Sequence, residues 1–155
     1  MASISPLDYC INEVGRQGHD VYNYVDGIQR VCWMLNGWEY AYHNRDRAIE
    51  LEDIRRIGIM VESIINIGGF RTCDVRVGWR FIETRPYEIE TQLESLLDGQ
   101  DDLTPLDFYR AFEMIHPFGD GNGRTGKILL NWKNRTLLTP IFPPYDFWGR
   151  PIQNP

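Results

Sequence analysis

HPFGDGNGRTGK, residues 116–127, places a histidine, an aspartate, an asparagine, an arginine and a lysine among closely spaced glycines. The stretch before it, LTPLDFYRAFEMI, reads as a helix, with Thr104 as N-cap, Pro105 at the first helical position and Asp107 three residues after the cap. The stretch after it, KILLNWKNRTLL, carries apolar residues at 128, 129, 132 and 137, so a second helix is expected to open near Asn122 or Gly123. The motif therefore falls on a helix–loop–helix turn, its glycines at the second helix's N-terminus. Unpaired N–H groups and the positive end of the helix dipole meet there. Gly121 and Gly123 carry no Cβ to obstruct an approaching ligand. This is an anion site, and its cations suit more than one phosphate.

Gly121 to Lys127 also satisfies the spacing of a P-loop, but two features oppose that reading. Ile128 stands where a magnesium-binding hydroxyl is required, and the preceding segment is helical where a P-loop follows a strand. With 155 residues, 43% of them hydrophobic, the chain is expected to form one domain over 1–155. Sixteen basic and twenty-two acidic residues give a formal charge of −6, which argues against a nucleic-acid scaffold but not against a local basic pocket. The three cysteines and three histidines are scattered and lack zinc-ligand spacing, and unpaired cysteines fit a cytoplasmic protein. No run approaches the roughly 18 apolar residues of a membrane span, and no basic-then-apolar leader opens the chain.

From the N-terminus, Ser5-Pro6 caps a short helix over Leu7 to Val14 that ends at Gly15. Val21, Tyr24, Val25, Ile28, Val31, Cys32, Leu35 and Trp38 predict one long amphipathic helix from Asp20 to about Tyr42. Ile54, Ile57, Val61, Ile64 and Ile65 stripe a third, stopped by Gly68-Gly69. In Phe70 to Ile82, Val75, Val77, Trp79 and Phe81 alternate with arginines and Gly78, a strand or short hairpin pattern. Such a hairpin must lie against the helices, and its edge could pair with an extended segment of another protein. Pro86 opens a helix ending at Gly99, with Ile89, Leu93, Leu96 and Leu97 on its apolar side. The proline-rich segment 139–155 is expected to be an irregular tail, held by Phe142, Tyr145 and Trp148.

Residues 116–127 resemble the signature of the Fic family, His-x-Phe-x-Asp/Glu-Gly-Asn-Gly-Arg-x-x-Arg. His116, Phe118, Asp120, Gly121, Asn122, Gly123 and Arg124 match, and Lys127 stands in place of the last arginine. The likeness extends upstream through GGFRTCDVRVG and downstream through ILLNW, covering about 54–138. It implies a mainly α fold, a bundle of helices around the motif loop with a β-hairpin flap. It also implies an activity, the transfer of AMP from ATP to a Ser, Thr or Tyr hydroxyl of a target protein, with release of pyrophosphate. Other members transfer UMP, GMP, phosphocholine or phosphate. Intact Gly123 and Arg124 disfavour the kinase branch, and the complete motif speaks against a non-catalytic binding module.

Each motif residue has a functional and a bland reading. His116 is a general base for the attacking hydroxyl, or a histidine capping the preceding helix. Asp120 binds Mg²⁺, as the resemblance implies, or is a turn aspartate. The N–H groups around Gly121, Asn122 and Gly123 stabilise charge on the α-phosphate, each donor being worth roughly 3 kcal/mol by analogy with oxyanion holes. Arg124 offers a fork to the outer phosphates, or is a surface arginine paired with an acid. Lys127, three residues on, points the same way as a point charge, or faces solvent. Phe118 pins the loop to the core, and Arg71 supports the loop or binds phosphate. Val75, Val77, Trp79 and Phe81 form the target-facing flap. Many Fic proteins carry an inhibitory helix with Ser/Thr-x-x-x-Glu-Gly/Asn. The match here, Thr84 to Glu88 followed by Ile89, fails in residue type and in place. The expectation is a domain unrestrained by itself or silenced by a separate antitoxin-like partner.

Overall fold

The computed structural model describes residues 3–145 and Pro151. Six α-helices are found there: α1 (Pro6–Arg16), α2 (Gln29–His43), α3 (Leu51–Val61), α4 (Ile89–Asp98), α5 (Pro105–Ile115) and α6 (Asn122–Lys133). A two-stranded antiparallel hairpin, β1 (Arg76–Val77) and β2 (Arg80–Phe81), lies between α3 and α4, with Arg76 opposite Phe81 and Val77 opposite Arg80. The fold is mainly α with a small hairpin, as the sequence pattern and the resemblance led one to expect.

The central element is α6. From Asn122 to Trp132 every residue but Gly123 is buried, among them Ile128, Leu129 and Leu130 at 1% exposure or less. It packs against α2, α3 and α5, so the motif loop that leads into it is anchored in the middle of the protein. Gly37 of α2 lies at this contact, where a Cβ would stand 3.2 Å from Ile128 and 3.3 Å from Val61. The start of α5 is as read from sequence. Thr104 accepts the Asp107 N–H at 3.1 Å, and Pro105 occupies the first turn.

Two helices differ from the expectation. The helix expected from Asp20 begins at Tyr24, as a π-helical turn (Tyr24–Ile28) that continues into α2. Gly27 sits against the Asp20 carbonyl, where a Cβ would overlap backbone, and donates its N–H to that oxygen at 3.0 Å. This local closure replaces the helical path that the apolar spacing suggested. The third helix ends at Val61, so Ile64 and Ile65 leave its stripe and stand 70% and 53% exposed. Glu62 and Asn66 instead take the buried places, because both are needed by the motif loop.

The hairpin is shorter than 70–82, with pairing confined to 76–81 and one further bond from Ile82 N–H to the Val75 carbonyl. Of the tail, Phe142 stacks on Tyr9 at 4.1 Å and the Arg110 guanidinium lies 5.7 Å from the Tyr145 ring. Trp148 lies outside the described residues. Among those described, no helix is long and apolar enough to cross a membrane.

Candidate active site around the motif loop

The loop between α5 and α6 is held from three sides before any ligand arrives. Phe118 is fully buried, its ring lying on the face of α3 that Gly58 leaves open. The Asn122 amide closes the turn on itself, accepting Phe118 N–H and donating to the Phe118 carbonyl, both at 2.9 Å. Asn66 donates to the carbonyls of Gly58 and Asp120, at 2.9 and 2.8 Å. Arg71 directs Nε to the His116 carbonyl at 2.7 Å and its other nitrogens to the carbonyls of Cys73, Thr84 and Ile115. Of the two roles open for Arg71, its geometry is that of a support joining the loop to the base of the hairpin.

His116 closes α5 in the left-handed region, with φ 53°. Its Nδ1 lies 3.2 Å from the Glu113 carbonyl, an acceptor, which fixes the neutral tautomer with the proton on Nδ1 and the basic lone pair on Nε2. Burial pushes the imidazole's pKa down to about 4, with Arg71 adding to the effect and the Glu113 carbonyl and Asp120 opposing it. The ring is therefore neutral at pH 7. Gly121, at φ 74°, is the N-cap of α6, whose first bond is Thr125 N–H to the Gly121 carbonyl at 2.9 Å. The N–H groups of Asn122 and Gly123 precede that bond and stand at the positive end of the dipole. The N–H of Gly121 differs, because the Asp120 carboxylate already accepts it at 2.7 Å.

A cavity of 380 Å³ gathers His116, Asp120, Gly121, Asn122, Gly123 and Lys127 from the motif, Gln17 from the end of α1, Tyr109 and Glu113 from α5, and Arg76, Val77 and Gly78 from the hairpin. Most of the expected site residues thus share one space. Val75 is half-buried, while Trp79 in the hairpin turn and Phe81 on β2 are 85% and 59% exposed.

Among the expected phosphate ligands Arg124 is the exception. Its fork points inward: the side chain is fully buried, with Nε on Gln17 at 2.9 Å, Nη1 on the Val61 carbonyl at 3.2 Å and Nη2 on Glu62 at 3.0 Å. Glu62 also binds Arg30 at 3.1 Å, so this carboxylate links α2, the end of α3 and α6. Lys127 reaches the cavity wall but is already paired, its Nζ 2.8 Å from Glu13 of α1. Burial pulls the Lys127 pKa down, yet Glu13 and Glu113 outweigh it and hold the ammonium above the ordinary lysine value. Glu113 is pushed up to about 7 by burial, with Glu13 adding to the rise and Lys127 opposing it. Glu13, Gln17, Glu62 and Glu113 were not singled out from the sequence. Three of them come from more than 50 residues before the motif, and only Glu113 carried a local clue, one helical turn before His116.

Among the described residues no group of three or more His, Cys, Asp or Glu side chains forms a metal cage. Asp120 is the carboxylate that suits a single hard cation. It lies at the cavity, its side chain 46% exposed, with Oδ2 unengaged among the described residues.

A profile of the Fic/DOC family matches residues 48–133. A probable protein adenylyltransferase of Aquifex aeolicus is 35% identical over 71 residues, which are 41% of this chain and 22% of that protein. The protein adenylyltransferase fic-1 of Caenorhabditis elegans is 33% identical over 89 residues, 52% of this chain and 17% of its own length. The matched region is thus about a fifth of these curated relatives. Among solved structures, a Fic domain containing signaling protein from Bacteroides thetaiotaomicron aligns with a TM-score of 0.54 at 24% identity, over 67% of this chain and 46% of that one. Fic-1 from Caenorhabditis elegans aligns with a TM-score of 0.59 at 22% identity, over 73% and 38%. These two likenesses concern the fold.

Proposed function

The chain belongs to the Fic/DOC family, and from that premise we propose that it is a protein adenylyltransferase, moving AMP from ATP to a Ser, Thr or Tyr hydroxyl of a target protein. The observation that carries this reading is the shared cavity. A neutral imidazole with its basic nitrogen defined faces the same space as the open N-terminus of α6.

The N–H groups of Asn122 and Gly123 hold the α-phosphate and stabilise the charge that grows on it. His116 Nε2 takes the proton of the target hydroxyl as its oxygen attacks the α-phosphorus. The new O–P bond forms, the bond to the β-phosphate oxygen breaks, and pyrophosphate leaves. Arg124, locked to Glu62 and Gln17, keeps the loop in the geometry this needs, while Lys127 gives positive charge to the wall behind the phosphates. Asp120 would hold Mg²⁺, since one carboxylate with phosphate oxygens and water is a common protein share for this ion. When bound, the ion neutralises charge on the phosphates. The hairpin receives the target as an added strand, with Val75 and Val77 half-buried and Trp79 and Phe81 exposed to the partner.

Intact-mass measurement after incubation with ATP and Mg²⁺ tests the reading through self-modification. The expected result is a gain of AMP units by the wild type and none by His116→Ala. Gain of a phosphate would replace adenylyl transfer with a kinase reaction. Equal gain in His116→Ala would remove the histidine from the proposed role.

A further inference from the structure

A nucleotide's phosphate chain brings several negative charges into a cavity whose wall already holds Glu113 and Asp120. The cations in the motif are committed elsewhere. Arg124 is fully buried with Nε, Nη1 and Nη2 all donating to protein oxygens, and Lys127 is paired with Glu13. One more cation borders the cavity, Arg76 on β1. It is exposed, and among the described residues it makes no ion pair. Its guanidinium carbon lies 4.1 Å from the centre of the Phe81 ring, the residue opposite it in the hairpin register.

That stack matters chemically. A guanidinium resting on a ring by its face keeps its donors in the plane, directed outward, and is held without a competing carboxylate. A planar two-donor fork is the geometry that phosphate oxygens accept most strongly. The hairpin that carries it has two residues per strand, so little ordered structure must shift for the side chain to close on a ligand. We propose that Arg76 grips the phosphates beyond the one held by the α6 N-terminus, making the flap a nucleotide clamp as well as a target edge. This rests on the nucleotide-transfer reading above. The bland alternative is a solvated arginine covering Phe81.

Titration calorimetry with AMP, ADP and ATP in Mg²⁺ separates the two, using the wild type, Arg76→Ala, Arg76→Lys and Arg80→Ala. Arg80 is on the same hairpin but does not line the cavity. Loss of a charge-assisted contact is expected to weaken ATP binding by about tenfold or more in Arg76→Ala. AMP should stay within about twofold of wild type, since its single phosphate sits on the loop. Arg76→Lys should fall between, and Arg80→Ala should match wild type. Equal loss for AMP and ATP, or no loss for either, would overturn the assignment of Arg76. In that case wild-type adenylyl transfer seen by mass would leave the functional reading standing. Failure of the wild type to bind ATP at all would overturn both.

Discussion

At the scale of single residues, the site is a set of polar groups whose charge states are set by burial and by one another. His116 is the clearest case. With its pKa pushed down to about 4, the base form is already full at pH 6, where an ordinary histidine is mostly protonated. The acidic limb of kcat/KM should therefore stay flat from about pH 8 down to about pH 5 and fall only below that. An inflection near 6.5 in initial rates would mean that the imidazole titrates as if solvated. Arg124 and Lys127 show what sequence can and cannot convey at this scale. Their spacing put them on one turn of one helix, which is correct. It could not say that Glu62 and Glu13 would reach them first, because a side chain's partner depends on chain segments brought in by the fold. The same spacing describes an arginine that meets phosphate and one that holds a loop.

At the scale of elements, the legible parts were those written in local chemistry. Thr104-Pro105 fixed the start of α5 through a cap and a preset φ, and the glycines of the motif fixed the start of α6. The misread parts were those where a distant demand overrode a local pattern. Ile64 and Ile65 continue an apolar stripe, yet the chain turns at Glu62 because the loop needs that carboxylate and Asn66. The contact between α3 and the motif loop can be tested through two glycines. At Gly58 a new Cβ would overlap three carbons of the buried Phe118 ring, so the whole ring would have to move. At Gly37 it would meet a methyl of Ile128 at 3.2 Å, which can give. Alanine gains about 1 kcal/mol over glycine in a helix, whereas overpacking costs about 1–3 kcal/mol. Gly37→Ala should then be close to neutral, while Gly58→Ala should lower the midpoint of thermal unfolding and slow transfer by displacing the loop. Similar melting of the two variants would show that the Phe118 ring is not seated as described.

At the scale of the whole molecule, His116 and Glu113 shift in opposite directions, and the pH dependences they give to stability should cancel over a defined range. Between about pH 4.5 and 6.5 the unfolded chain holds a proton on His116 and none on Glu113. The folded chain does the reverse, because His116 stays neutral down to about 4 and Glu113 stays protonated up to about 7. The pair binds the same number of protons in both states, so it contributes no slope. Glu113→Gln breaks the balance. The folded state then holds no proton at this pair while the unfolded state still holds one. Relative to wild type, stability should rise with pH through that window by up to about 1.4 kcal/mol per unit. His116→Asn should do the opposite, with stability relative to wild type falling as pH rises, since folding then retains a proton on Glu113 that unfolding releases. Urea unfolding of the three proteins at pH 4.5, 5.5 and 6.5 measures these differences. Parallel stability profiles would mean that neither group is shifted as the packing requires. Opposite slopes would show that both groups carry the shifts burial imposes, their two costs in stability adding to a constant across that range.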